Sequence, residues 1–304
     1  MLFRSALDLK AYLYDEDRWP SGPAGGFVTR EHPELRLKYL VAGAATELKD
    51  ASSALANFEV QLDEAGALKS YSKCASGCGL AFAVRTEIPS GWTNDGGYLD
   101  VLSPEAVAEY IKSTHDQYAA RYGKDFGALI PGMFTDEPNY GWRNNVGADV
   151  TLQAHWTPRL PEEFKARRGY DLMNHLPELF FPAAGGAFSK VQHDYHQTIT
   201  ELFVESFSAQ IGAWCGKERI ALTGHVLLEG DLTLQTMVVG ACMPHYEHMQ
   251  WPGIDLLTDQ AEELLTAKQC SSVADQLGKE RVLTELYGCT GWDFPLEGHK
   301  FLGD

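Results

Sequence analysis

Positive charge is scarce in this chain of 304 residues: 25 Lys and Arg stand against 42 Asp and Glu, a formal net charge of −17. A phosphate backbone needs a basic face, so nucleic acid is excluded as a partner. No run reaches the ~18 apolar residues of a membrane span. The N-terminus lacks the basic start and continuous apolar core of a signal peptide, and the compartment stays open. No G-x-G-x-x-G or P-loop follows an apolar strand pattern, which argues against a nucleotide-binding, doubly wound sheet. Cysteine is sparse, with six scattered residues, and only Cys74 and Cys78 are close. Their C-x3-C spacing has no second ligand pair to complete a zinc site, so they read as ordinary small residues or one disulfide.

What is present is a core. An apolar share of 44% and an aromatic share of 11% belong to a globular chain, long enough for one large α/β domain or two smaller ones. Lys10 to Tyr14 reads as a short buried strand ending in acids, followed by the Gly/Pro-rich loop "WPSGPAGGFV". Residues 39–88 switch to period two, with Phe58, Val60 and Leu62 alternating before a "DEAG" turn, and predict a small antiparallel β insertion. "GYLDVL" then reads as a strand carrying Asp100. A helix follows, with Ser103 as N-cap, Pro104 in its first turn and Gly123 after its last. "ALIPGMFTDEP" predicts a buried strand, and Val191, Tyr195, Ile199, Leu202, Phe203, Phe207, Ile211 and Trp214 mark a long amphipathic helix. "IALTGHV", "HMQWPGIDLL" and "RVLTELYG" are further strands, the last preceded by a helix that Gly278 caps.

Short apolar strands alternating with helices predict a parallel sheet. Polar residues gather at the C-terminal end of strand after strand: Asp15, Glu16 and Asp17, then Asp100, Asp136 and Glu137, His225, His248, and Glu285 with Tyr287. That distribution favours a (β/α)8 TIM-type barrel, which builds its chemistry at that end, over a doubly wound sheet with one switch point.

Glu137 in "FTDEPNY" and Glu285 in "TELYG" occupy matching places just past apolar strand cores. Two carboxyl groups across one pocket suit glycosidic bond cleavage, where one protonates the leaving oxygen and the other attacks or activates water. Asp136 supplies a neighbouring negative charge that raises a carboxyl pKa. Asn139, Tyr140 and Trp142 trail the first acid, and Tyr287 and Trp292 the second. Trp19, Trp142, Trp251 and Trp292 offer flat faces to a sugar ring, with His225, His245, Glu247, His248 and Gln250 as a polar cluster beside them. Asp15, Glu16 and Arg18 are expected to meet sugar hydroxyls, with Trp19 stacking or bracing the loop. His245 and His248 stand three apart in a stretch that reads as extended or looped, which favours hydrogen bonding over metal ligation.

The strings "YDEDRWPSGPAGG", "FTDEPNY", "TELYGCTGW" and "EGHKFLGD" resemble bacterial glycoside hydrolases of the α-L-rhamnosidase type, family 106, and their uncharacterised relatives. The resemblance implies a (β/α)8 core within a larger chain that carries β-sandwich domains. It also implies Glu137 as general acid, Glu285 as base, and inversion. Bound calcium is a feature of characterised members, and no calcium-loop pattern supplies ligands for it here.

Barrel glycosidases of this kind carry their acids on the fourth and seventh strands. With "YLYD" as second strand, "FTDEP" is fourth and "VLTELYG" seventh. The first and eighth are then missing. Residues 1–304 are therefore expected to be a partial catalytic barrel domain from a longer enzyme, poorly soluble and weakly active alone. Its expected partners are a glycoside or oligosaccharide substrate and the remaining domains of the parent chain. Two alternatives use the same residues: a catalytically silent carbohydrate-binding barrel, and a metal-dependent hydrolase or isomerase built on His225, His245 and His248.

Overall fold

The computed structural model describes residues 9–49, 51–141, 152–257 and 264–304. Trp142 lies outside them. In chain order the strands are β1 (Leu13–Tyr14), β2 (Lys38–Ala44), β3 (Ala56–Leu62), β4 (Leu68–Cys74), β5 (Leu80–Thr86), β6 (Gly132–Thr135), β7 (Leu152–Trp156), β8 (Ala221–Gly224), β9 (Trp251–Leu256) and β10 (Leu283–Leu286). They form two five-stranded sheets. One is parallel, in the order β1-β6-β8-β9-β10, and the other is antiparallel, in the order β4-β3-β5-β2-β7. The chain is therefore mixed α/β, with short, mostly buried parallel strands such as Ala221–Gly224 covered by helices.

Two helices position the strand ends. Pro104–Tyr110 starts under the Ser103 cap, whose hydroxyl accepts from the Ala106 N–H at 3.2 Å, and runs through a wide π turn, Ile111–His115, into Asp116–Tyr122. From it, Tyr110 Oη donates to the Asp15 carbonyl (2.7 Å) and Tyr118 Oη to that of Tyr14 (3.1 Å), fixing the exit of β1. Lys190–Phe203 continues through a second π turn, Val204–Ala209, into Gln210–Lys217, burying Val191, Tyr195, Ile199, Leu202, Phe203, Phe207 and Ile211. The helix Leu265–Leu277 ends at Gly278 in the left-handed conformation (φ 61°). Gly123 instead opens a 3-10 turn at φ −55°.

Three local expectations are corrected. "GYLDVL" is not a strand of the parallel sheet: it makes one bridge, Leu99 to Arg36, and turns away. The buried Asp100 carboxylate accepts from Leu102 N–H (3.2 Å) and Thr157 Oγ1 (2.9 Å), and its carbonyl accepts from Ser103 N–H, so the backbone enters a helix instead of a ladder. β1 consequently pairs directly with β6, Leu13 opposite Met133, and no strand stands between the two as the second-to-fourth count required. "CMPHYEH" is a helix, Cys242–His248, not an extended loop. Cys242, His245 and Tyr246 sit on one buried face, and Pro244 is tolerated within the first turn. Finally, the antiparallel sheet reaches beyond residues 39–88, because β7 pairs along β2. Cys74 and Cys78 are joined as a disulfide with Cα atoms 6.2 Å apart.

Candidate active site

The parallel strands place a cluster of acids around one histidine. β6 delivers Asp136 and Glu137, β8 delivers His225, and Asp255 and Glu285 lie opposite each other in register on β9 and β10. His225 is buried, with Nε2 3.2 Å from Asp136 Oδ1 and 3.9 Å from Asp255 Oδ2. Ligating atoms of Asp136, His225 and Glu285 lie within 4.8 Å of one another, as do those of Glu137, His225 and Asp255. Glu137 and Glu285 therefore each bring a carboxyl oxygen to within 4.8 Å of the same imidazole. Tyr14 Oη donates to Asp136 Oδ2 at 2.6 Å and fixes that carboxylate from the other side.

Glu137 is held in an uncommon backbone conformation, φ 48°, in the left-handed region that non-glycine residues rarely occupy. Asn139 sustains it: its Nδ2 donates to the Glu137 carbonyl (3.0 Å), while its Oδ1 accepts from Gly141 N–H (3.0 Å). The Trp19 indole N–H donates to Glu137 Oε2. Burial pushes the Glu137 carboxyl up to about 7, opposed by the His225 charge and the indole bond and assisted by Asp136 and Asp255. For His225 burial acts to remove the proton, but the Asp136 bond and the Glu229, Asp136 and Asp255 charges prevail and raise it to about 9. Burial also lifts Asp255 to about 6 and Glu229 to about 7. The site is thus one imidazolium among acids, several of them poised near neutrality.

The element that precedes it is built around two buried carboxylates. Glu16 accepts the backbone N–H groups of Asp17 (2.9 Å) and Gly25 (2.6 Å) on Oε1, and those of Gly22 (3.2 Å) and Ala24 (2.7 Å) on Oε2. The loop "DRWPSGPAG" therefore wraps its own acid. Asp15 is fully buried and accepts from Ser21 Oγ at 2.5 Å, and Ser21 Oγ accepts in turn from the Asp136 N–H at 2.9 Å. Both acids shape the rim from beneath, where the expectation was contact with sugar hydroxyls. The fully occupied Glu16 oxygens and the burial of Asp15 explain the difference.

The model of the glycoside hydrolase 106 family, described as alpha-L-rhamnosidase, matches residues 78–294. The chain belongs to this family. The family 106 chain is also similar to the rhamnosidase from Novosphingobium sp. PP1Y, at 20% identity and a TM-score of 0.52, over 74% of this chain and 22% of that one. No curated protein sequence matches it. The matched span of the family 106 chain contains Asp136, Glu137, His225, Glu229, Asp255 and Glu285, while the loop around Glu16 lies before it. No helix among the described residues is long and apolar enough to cross a membrane.

Other candidate residues of the family 106 chain stand away from this cluster. Tyr140 is wholly buried, its ring 4.4 Å from that of His155 and its Oη donating to the Thr236 carbonyl (3.0 Å), so it is core. Gln250 spans Leu222 N–H (2.7 Å) and the Gly212 carbonyl (3.0 Å), bracing the start of β8. Trp251 opens β9 at the opposite end from the acids, against Tyr12 (6.3 Å) and beneath Arg281 (5.1 Å). His245 is buried on Ser208 Oγ (2.7 Å), and His248 lines a separate cleft with His193 and His196, so neither joins His225. Tyr287 donates to the His299 carbonyl (3.0 Å), and Trp292 is fully exposed with no wall to complete. Arg18 stays on the rim, 2.9 Å from Asn94 Oδ1.

Asp255 and Glu229 were missed in the sequence. Asp255 carried a legible signal, an acid near the end of an apolar strand. Glu229 lay in a loop, and bonds from Tyr246 Oη (2.5 Å) and Asp255 N–H (3.0 Å) help bring its carboxylate in. Both donor triads at the site include His225, already paired with Asp136. Both sets combine a histidine nitrogen with two acids, whereas calcium takes six to eight oxygen ligands, so these sets do not fit that ion and no chemical step is assigned to it.

Proposed function

We propose that the chain hydrolyses O-glycosides, with terminal α-L-rhamnosyl groups as substrate, on the active face of a (β/α)8-type barrel. Glu137 is the general acid, and Glu285 is the base. The observation that supports this reading is the meeting of two carboxyl groups from different strands around His225, one of them pushed up to about 7. At neutral pH a substantial share of Glu137 carries a proton, and the indole bond on Oε2 leaves Oε1 to hold it. That proton passes to the glycosidic oxygen as the C1–O bond breaks. Glu285 takes a proton from water whose oxygen attacks C1 from the opposite face, and solvent exchange restores both groups. The His225 charge holds the Glu137, Asp255 and Glu229 carboxyls lower than burial alone would place them.

Glu137→Gln should lower kcat/KM for alkyl rhamnosides by about 10²- to 10⁴-fold, and far less for glycosides of acidic phenols, which leave without a proton. The first product seen by NMR should be the β-anomer. Equal losses on both substrate types, or an α-anomer as first product, would overturn the assignment.

A further inference from the structure

Ser21 is completely buried in the loop after β1, and its N–H, its hydroxyl and its carbonyl all serve the segment that carries Glu137. The N–H donates to the Asp136 carbonyl at 2.7 Å, and Oγ accepts from the Asp136 N–H at 2.9 Å. The Ser21 carbonyl accepts from Tyr98 Oη, and that phenol oxygen accepts the Asn139 N–H at 3.2 Å. The backbone is therefore held directly at the residue before Glu137 and, through one phenol, at the second residue after it. The hydroxyl is itself oriented, because it donates to Asp15 Oδ1 at 2.5 Å and so turns a lone pair toward Asp136. Asp15 is anchored in turn, its carbonyl taking the Tyr110 hydroxyl at 2.7 Å.

Glu137 lies between these holds with φ 48°. A non-glycine residue keeps that conformation only where its surroundings over-determine it, and relaxation to extended or right-handed backbone re-aims the side chain. Resting on the acid assignment above, we propose that Ser21 is a positioning residue for the proton transfer. With Tyr98 as its relay it clamps residues 136–139, so that Glu137 keeps the turn that presents its carboxyl. Ser21 is sealed from solvent, so it acts through the backbone of its neighbour and not on the substrate. A general acid contributes only when its proton lies within hydrogen-bond reach of the leaving oxygen. Loosening the clamp therefore costs most where the leaving group needs that proton.

The test compares methyl and 2,4-dinitrophenyl α-L-rhamnoside as substrates of the full chain carrying Ser21→Ala or Tyr98→Phe, assayed well below the melting range of each variant. The first removes the hydroxyl from the Asp136 N–H and the second removes the relay to Asn139, so either one tests the clamp if the other fails to fold. Each should lower kcat for the methyl glycoside about 10- to 100-fold, leave the dinitrophenyl glycoside within about threefold, and speed amide exchange at residues 136 and 139. Loss of stability alone lowers both glycosides equally; that result, or an unchanged methyl rate, overturns the proposal. Added to Glu137→Gln, Ser21→Ala should cost the methyl glycoside nothing further, since no acid is left to position. If Glu137→Gln by itself leaves methyl glycoside hydrolysis intact, the acid assignment fails instead. Amide exchange then still decides the clamp, and unchanged exchange at both residues overturns it.

Discussion

Glu16→Gln removes one of two acceptor oxygens at the centre of the loop that wraps it. Each carboxylate oxygen serves two backbone donors, Asp17 and Gly25 on one side, Gly22 and Ala24 on the other. The amide is isosteric, so no cavity opens, but its NH2 must face one of those donor pairs. Two buried N–H groups then lose their acceptor, at roughly 1–3 kcal/mol each. The Gly22 bond is long at 3.2 Å, and a neutral group is less costly to bury, so the total should be about 2–4 kcal/mol. Equilibrium urea denaturation reads the loss, and amide exchange at residues 22, 24 and 25 locates it. Trp19 hangs from the same loop, so kcat should fall with it. A change below about 0.5 kcal/mol with those amides still protected would refute the view of Glu16 as the loop's internal anchor.

His225→Gln should move the alkaline limb of the kcat/KM profile upward. Glu137 works protonated, so activity falls as pH rises through about 7, and losing a cation within 4.8 Å raises that value. Coulomb attraction at an effective dielectric near 20, reduced by the Asp136 charge, sets the move at about 1–2 pH units; an unmoved limb counts against it. Asp15 is raised by burial from 3.8 to about 7, so between those values the folded chain holds a proton that the unfolded chain has lost. Stability should therefore decline as pH rises through that window, and Asp15→Asn should flatten the decline in urea titrations run from pH 4 to 8. Gly22 has φ 137°, and a Cβ there would lie 2.5 Å from the Tyr98 ring, so Gly22→Ala should lower Tm by several degrees. Trp292→Ala should change neither Tm nor KM, since the ring touches only solvent.

Periodicity and punctuation made much of the local structure legible. The Ser103 cap, the β3–β4 hairpin around "DEAG" and the long helix face from Val191 to Ile211 are all written in residues that act on their immediate neighbours. Partners distant in sequence are a different matter. Nothing local shows that Asp100 will be captured by Thr157, and that capture is what removes "GYLDVL" from the sheet. Acids after strands were easy to find, and Asp136, Glu137 and Glu285 do come to one histidine. Whether a strand-end acid faces substrate or its own backbone depends on loop donors no pattern specifies, as with Glu16. Aromatic residues misled for a similar reason: Tyr140, Trp251 and Trp292 share a composition with pocket walls but lie in the core, at the far strand ends and in solvent.

β7 leaves the path between two strands of the parallel sheet to complete the edge of the antiparallel one, pairing Trp156 with Lys38 and Leu152 with Ala42. The small sheet is consequently not a cassette. Cutting out residues 38–86 would strand β7 with a bare ladder edge in the middle of the segment that joins Glu137 to His225. Grafting a different loop at that point, or transplanting the sheet to another scaffold, must carry residues 152–156 along. The two sheets are laced by the chain itself, and neither can be exchanged without re-threading the other.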